Sequence, residues 1–284
     1  MNPIKLKMML QAFFNEDIGS GDVTSLSIFE PGAVAQGVLT AKSSGVVSGV
    51  SIIKEGYRLL SQDIAVETLI SDGEVVEAGQ NLAVVKGPVQ SVLTGERVLL
   101  NLFQRMSGIA TTTYEAVQRL NSSKTKICDT RKTTPGLRML EKYAVKCGGG
   151  HNHRIGLYDG VMIKDNHIAF CGSITKAVER ARQHAGHMVK IEVETETKEQ
   201  VIEAVEAGAD VIMFDNRKSE EVAAFVDLVP HHIITEASGG IQLEDLPLYR
   251  HTGVDYISLG FLTHSYRAMD ISFNLKEGVK SECY

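Results

Sequence analysis

What this 284-residue chain has little of narrows its possible roles before any motif is read. It has no excess of positive charge: 29 lysines and arginines stand against 35 aspartates and glutamates, a formal net charge of -6. A nucleic-acid surface is normally basic as a whole, so that class is disfavoured, while a local cationic pocket is not. No uncharged apolar run approaches the length needed to cross a bilayer. The opening MNPIKLKMMLQAFFNED is interrupted by charges and has no small-residue cleavage site, so no secretory leader is expected. Cysteine is scarce, and Cys128, Cys147, Cys171 and Cys283 form neither a CxxC pair nor a metal-ligand spacing. They fit reduced thiols of a cytoplasmic protein. Neither a membrane nor a nucleic acid is an expected partner. The length allows two domains or one barrel with an appendage, and 43% hydrophobic with 23% charged residues is ordinary for a globular protein.

What is present has a rhythm. From about residue 125, short apolar runs end in a polar residue or glycine, and a helical pattern follows each. The ends fall at Asp129, Lys164, Glu194, Asp215, Glu236 and Gly260, spaced 35, 30, 21, 21 and 24 residues apart. This is the βα repeat of a parallel barrel or open α/β sheet, and continuous apolar strands suit burial on both faces. Six units are fewer than the eight of a full barrel, so an incomplete or open barrel is expected. SITKAVERARQHA places Ile174, Ala177, Val178 and Ala181 on one face behind an N-cap at Ser173. TKEQVIEAVEAGAD opens with a Thr197–Gln200 capping box, and SEEVAAFVDLVP starts on Ser219 as its cap.

The first hundred residues are rich in β-branched residues and turns. Residues 72–87 carry D-G-x-x-V-x-x-G-x-x-L-x-x-V-x-G, which resembles half of a biotinyl or lipoyl carrier domain. The modified-lysine hairpin of such a domain is missing, which favours a plain β-rich domain. A long amphipathic helix follows, from Thr94 to Leu120, with an apolar stripe of Val98, Leu102, Phe103, Met106 and Ile109. Its polar stripe holds Arg97, Asn101, Gln104 and Arg105. From spacing alone Arg97 reads as a solvated helix residue.

In barrels and open α/β sheets the site lies at the carboxyl ends of the strands. Here those ends alternate cations and acids. DTRKTTPGLR (129–138) sets Arg131 and Lys132 at the first. CGGGHNHRIGLYDGVMIKDNH (147–167) brings three glycines, His153 and Arg154, and then Lys164. Glu194 and Asp215 follow on consecutive strands; carboxylates in a basic site hold sugar hydroxyls or a hydrated Mg²⁺ beside phosphates. ASGGI (237–241) and SLGFLTHS (258–265) place glycine turns on the last two strands, the usual barrel phosphate site. His151-x-His153 has no third ligand at zinc spacing, and a metal role is disfavoured. The pocket fits a small polycarboxylate, which arginine binds bidentately, together with a phosphorylated sugar.

DTRKTTPGLR, GGGHNHRIGLYDGVMIKDNHI, IEVE, IMFDN, EASGGI and GVDYISLGFLTHS occur in this order. With EDIGSGDVTS and GERVLLNLFQRMSGIAT they make the chain resemble the quinolinate phosphoribosyltransferase family from about residue 16 to about 273. The resemblance implies an α/β protein with a β-rich α/β sandwich domain (1–110), an open or incomplete parallel barrel (111–267), and a segment 268–284 packing back on the first domain. It implies homodimers, with room for an assembly of dimers. The implied reaction joins quinolinate to phosphoribosyl pyrophosphate with Mg²⁺, giving nicotinate mononucleotide, pyrophosphate and CO2. By motif, Arg131, Lys132, His153 and Arg154 hold quinolinate, and Arg97 reaches it from the neighbouring subunit, against the bland reading. Thr130, Lys164, Glu194 and Asp215 hold phosphoribosyl pyrophosphate, the two acids through ribose hydroxyls and Mg²⁺. Ser238, Gly239, Gly240, Leu259, Gly260 and Phe261 cradle its 5′-phosphate. Lys132, Lys164, Glu194 and Asp215 are the implied catalytic groups. Two alternatives stay open: a molybdenum-transport-associated paralogue, and a non-catalytic binder of an anionic metabolite.

Overall fold

The computed structural model describes residues 1–276. Cys283 and the remainder of the expected C-terminal segment lie outside the described residues. The chain forms two compact units.

The first unit comprises Met1–Thr112, Met139–Gly148 and the chain from Tyr266 onward. Its strands β1 (Val34–Ala41), β3 (Ala65–Thr68), β5 (Asn81–Pro88) and β12 (Ile271–Leu275) form an antiparallel sheet in the order β12-β1-β5-β3. The described part of the C-terminal segment is thus an edge strand on β1. Short strands β2 (Gly45–Val46) and β4 (Val75–Val76) pair separately. Lys86, inside the carrier-like pattern, is a mid-strand residue paired with Gln36 and Ala65 and not a hairpin tip. Helices α1 (Pro3–Ile18), α2 (Val23–Ile28) and α3 (Val50–Leu60) precede a helix α4 that spans Val89–Leu120, five residues earlier than its apolar stripe suggests. Val98, Leu102, Phe103, Met106 and Ile109 are all buried, as that stripe requires.

Helix α5 (Arg138–Cys147) belongs with the first unit apart from Arg138, although it falls within the residues assigned to the barrel by sequence. The reason is polar. Glu141 is fully buried and ion-paired with Arg105, whose guanidinium also lies over the Tyr266 ring at 4.7 Å. Tyr143 donates to Asp72 at 2.7 Å. Asp72 in turn caps α3 by accepting the backbone N–H groups of Gly49 and Val50.

The second unit holds the parallel sheet. Its strands are β6 (Lys126–Cys128), β7 (Val161–Ile163), β8 (Ile191–Thr195), β9 (Val211–Asp215), β10 (Ile234–Ser238) and β11 (Tyr256–Ser258). They run in the order β6-β11-β10-β9-β8-β7, every pair parallel. His151 adds a single parallel bridge to Cys128 on the outer side of β6. The sheet is therefore curled but not fully hydrogen-bonded among the described residues, matching the open-barrel expectation. Ile212, Met213 and Phe214 on β9 are all buried, which is why that run shows no polar alternation.

Two helix starts agree with the sequence: Ser173 caps α7 (Ile174–His184), and Thr197 with Gln200 forms the capping box of α8 (Lys198–Glu206). One does not. Ser219 is the first residue of α9 (Ser219–Val226), and the Glu221 carboxylate caps it by accepting the Lys218 N–H at 3.1 Å. Strand β10 runs to Ser238, so Glu236 is mid-strand and buried and does not end the strand.

Candidate active site

A cavity of about 530 Å³ opens at the carboxyl ends of the parallel strands. Asp129, fully buried after β6, fixes one wall. It accepts the His153 backbone N–H at 2.9 Å and the Asn152 side-chain amide at 2.6 Å, tying the lip to the glycine-rich loop. Thr130 accepts the Lys132 N–H at 2.9 Å and curls the lip over the cavity. Arg138 braces it from behind, donating to Thr133 Oγ1 and to Ile155 O.

Arg131 and Arg154 stand side by side on this wall. Burial lowers the Arg154 pKa from its ordinary value, and the Arg131 charge adds to the effect. Arg154 spends one Nη on Gly160 O at 2.9 Å, but the Nε of each arginine is buried with no hydrogen-bond partner. Orphaned guanidinium donors beside a like charge are costly unless an anion completes them. Lys132 is exposed at the rim.

The opposite wall is acidic and paired. Lys164, immediately after β7, forms an ion pair with Glu194 on the neighbouring strand. Asp215 ends β9; partial burial and then the Glu194 charge raise its pKa. A divalent cation shared with a substrate's oxygens would reverse that cost, so Glu194 and Asp215 suit Mg²⁺ held beside phosphates. Next, Ser238, Gly239 and Gly240 turn away from β10 with both glycines at positive φ, +88° and +67°. A Cβ on Gly239 would stand 2.4 Å from Asn216 Oδ1 and 2.7 Å from its backbone N. Only glycine fits that approach.

The remaining expected residues sit apart from the cavity walls. Leu259 is buried and its N–H bonds Cys128 O at 3.0 Å. Gly260 precedes the four-residue turn of helix Phe261–His264, and a Cβ there would meet Lys132 Cδ at 3.0 Å. Any contribution of Leu259, Gly260 and Phe261 is through backbone. Arg97 belongs to the first unit, its side chain 66% exposed with Glu96 at 3.9 Å.

Three acids and amides were given no site role by the sequence, although Glu236 was expected as a strand end. Asn216 borders the cavity. Glu192 and Glu236 lie at its floor, on β8 and β10, each about 95% buried. The Glu192-Val193-Glu194 alternation was the available signal: on a strand, residues two apart share a face. His153 faces these floor acids. Its Nδ1 accepts the Arg154 N–H at 2.7 Å, which leaves the proton on Nε2, 3.0 Å from Glu192 and 3.7 Å from Glu236. The three side chains are close enough to surround an ion. A metal would need the Nε2 lone pair, however, and that nitrogen carries the hydrogen, so the cluster is built to share protons.

Fold and site together define a class: an α/β-barrel enzyme acting on strongly anionic small molecules. Residues 22–107 match the family description "Quinolinate phosphoribosyl transferase, N-terminal domain", and residues 109–274 match its "C-terminal domain". The chain is 58% identical, over its whole length and 99% of the other, to the probable nicotinate-nucleotide pyrophosphorylase [carboxylating] of Bacillus subtilis. Among solved structures, NadC from Streptococcus pyogenes superposes with a TM-score of 0.94 at 38% identity, covering 97% of this chain and 98% of that one. The nicotinate-nucleotide pyrophosphorylase from Francisella tularensis gives 0.92 at 35% identity, with the same coverage of both chains. The chain belongs to the quinolinate phosphoribosyltransferase family.

Proposed function

We propose that the protein transfers the phosphoribosyl group of phosphoribosyl pyrophosphate to quinolinate with decarboxylation, yielding nicotinate mononucleotide, pyrophosphate and CO2 for de novo NAD synthesis. The observation that carries this reading is the pair of buried, partnerless guanidinium nitrogens of Arg131 and Arg154, set across one cavity from the Lys164–Glu194 pair and the diglycine turn. A planar dicarboxylate answers the first, a phosphorylated sugar the second.

Arg131, Lys132 and Arg154 hold the ring carboxylates, and His153 supports the floor acids. Lys164, Glu194 and Asp215 take the ribose and pyrophosphate, while Ser238, Gly239 and Gly240 receive the 5′-phosphate, with backbone from Leu259 to Phe261 behind them. Mg²⁺, held by Glu194 and Asp215, would neutralise the departing pyrophosphate. Positive charge develops at ribose C1 as pyrophosphate leaves, and Lys164 stabilises the departing anion. The ring nitrogen then bonds to C1 and becomes cationic, which stabilises the electron pair left on C2 by CO2. No protein nucleophile is needed; position and electrostatics supply the rate.

The working enzyme is a homodimer, itself open to further assembly, in which Arg97 completes the partner's site. Its exposed side chain, with Glu96 only at 3.9 Å, is available for that reach. No described helix is long and apolar enough to cross a membrane, and the placement proposed is cytoplasmic. The intact TRKTTPG and IKDNH motifs favour quinolinate over the transport-associated alternative. Incubation with phosphoribosyl pyrophosphate, Mg²⁺ and either quinolinate or nicotinate tests the reading. Nicotinate mononucleotide should form from quinolinate alone; no turnover of either acid would refute it.

A further inference from the structure

We propose that Glu236 is the acid that protonates C2 of the pyridine ring after the carboxylate leaves, an inference resting on the quinolinate reading of the site. Loss of CO2 leaves an electron pair on C2. That pair takes the proton of Glu236, so a C2–H bond forms, the O–H bond breaks, and Glu236 becomes a carboxylate. Water then returns the proton.

The geometry supports each part. Glu236 stands on β10 at the floor of the substrate cavity, 96% buried, with Oε1 lacking any hydrogen-bond partner. A buried, unsatisfied carboxyl oxygen facing a cavity is a contact waiting for a ligand. Of the groups around it, Glu192 on β8 and Asp129, just after β6, disfavour its anion, while a hydrogen bond from Ser258 and a long one from the Cys128 thiol, at 3.9 Å, favour it. Met213, its register partner on β9, is apolar. His153 is the strongest of the groups that favour the anion, and its Nε2–H is committed to Glu192 at 3.0 Å. Burial, reinforced by Glu192, pushes the Glu236 pKa up to about 8, so the acid carries its proton at neutral pH. An arriving dianion strengthens that preference. Lys164, another donor lining the cavity, is engaged with Glu194.

A second cavity, of about 410 Å³, opens at the amino ends of the strands and is also lined by Glu236 and His153. The acid therefore lines both the substrate cavity and a second opening. Water there can reprotonate Glu236 while product still fills the upper mouth.

Glu236→Gln keeps shape and polarity but has no proton to give. In a single turnover it should release pyrophosphate at the wild-type rate, while nicotinate mononucleotide forms about 100-fold more slowly, the usual worth of a general acid. A nucleotide retaining both carboxylates should accumulate, because the unprotonated carbanion recaptures CO2. Quinolinate affinity should change less than about threefold, since no charge is removed at neutral pH. Normal nucleotide formation by the variant, or equal slowing of pyrophosphate release and nucleotide formation, would overturn the proposal. The wild-type enzyme gives an independent reading if the variant does not fold. Its single-turnover nucleotide formation should fall above about pH 8 and slow in D2O, whereas pyrophosphate release should do neither; loss of both effects would equally overturn it. Failure of the wild type to use quinolinate at all would instead refute the substrate assignment.

Discussion

The side-chain amide of Asn216 donates to Asp215 Oδ2 at 2.6 Å. The same residue stands in the left-handed region at φ 54°, and its backbone N–H bonds Ser238 O at 2.8 Å. It therefore fixes the carboxylate at the end of β9 and the start of the diglycine turn at once. Asn is among the few side chains that adopt this backbone readily.

Substituting Asn216→Ala removes the amide and strains the backbone. The expected result is a rise of about 10-fold in KM for phosphoribosyl pyrophosphate, with KM for quinolinate unchanged. Gly239→Ala should be more severe, because its Cβ would enter the space of Asn216 Oδ1 and N. Steady-state kinetics with each substrate varied in turn checks both.

The proposed trans role of Arg97 has its own test. Arg97→Ala and Lys164→Ala should each be nearly inactive alone. Mixed and allowed to exchange subunits, they should recover about a quarter of wild-type activity, because a random mixed dimer holds one intact site and half of dimers are mixed. Activity of the exchanged mixture is the measurement. No recovery, with exchange shown by mass spectrometry, would return Arg97 to its own subunit or to solvent.

Arg105 and Glu141 carry a structural prediction. Arg105→Ala deprives a fully buried carboxylate of its arginine and should destabilise the protein by about 3–5 kcal/mol, the range for breaking a buried pair from one side. Replacing both residues by apolar ones of similar volume should cost less. Urea unfolding of the single and double variants checks this.

Glu236 makes stability depend on pH with a definite sign. Its folded pKa is raised to about 8, so between the ordinary carboxylate range and that value the folded state binds one more proton than the unfolded state. Stability from this group falls as pH rises through that window. Glu236→Gln should therefore raise the thermal midpoint at pH 8 more than at pH 5, by calorimetry at both.

The rim of the candidate site was legible because strand ends carry it. Arg131, Lys164, Glu194 and Asp215 each follow or close an apolar run, and the βα spacing puts such ends together. Glu192 and Glu236 were not legible as a site, since each lies inside a run whose neighbours are apolar and reads as its polar terminus or as noise. Their meeting with His153 depends on strand order, and β8 and β10 flank β9 only once the sheet is formed. The grouping of helix α5 with the first unit was not legible for the same reason: its partners Arg105 and Asp72 lie 36 and 71 residues away in sequence. The Ser219 cap was overruled by Glu221, two residues further on and able to reach the same helix end.

Quinolinate labelled only in its 2-carboxylate tests the proposed reaction most directly. With phosphoribosyl pyrophosphate and Mg²⁺, one labelled CO2 should appear for each nicotinate mononucleotide, and none without phosphoribosyl pyrophosphate. Label retained in the nucleotide product, or released without the sugar donor, would contradict ribosyl transfer coupled to decarboxylation at this site.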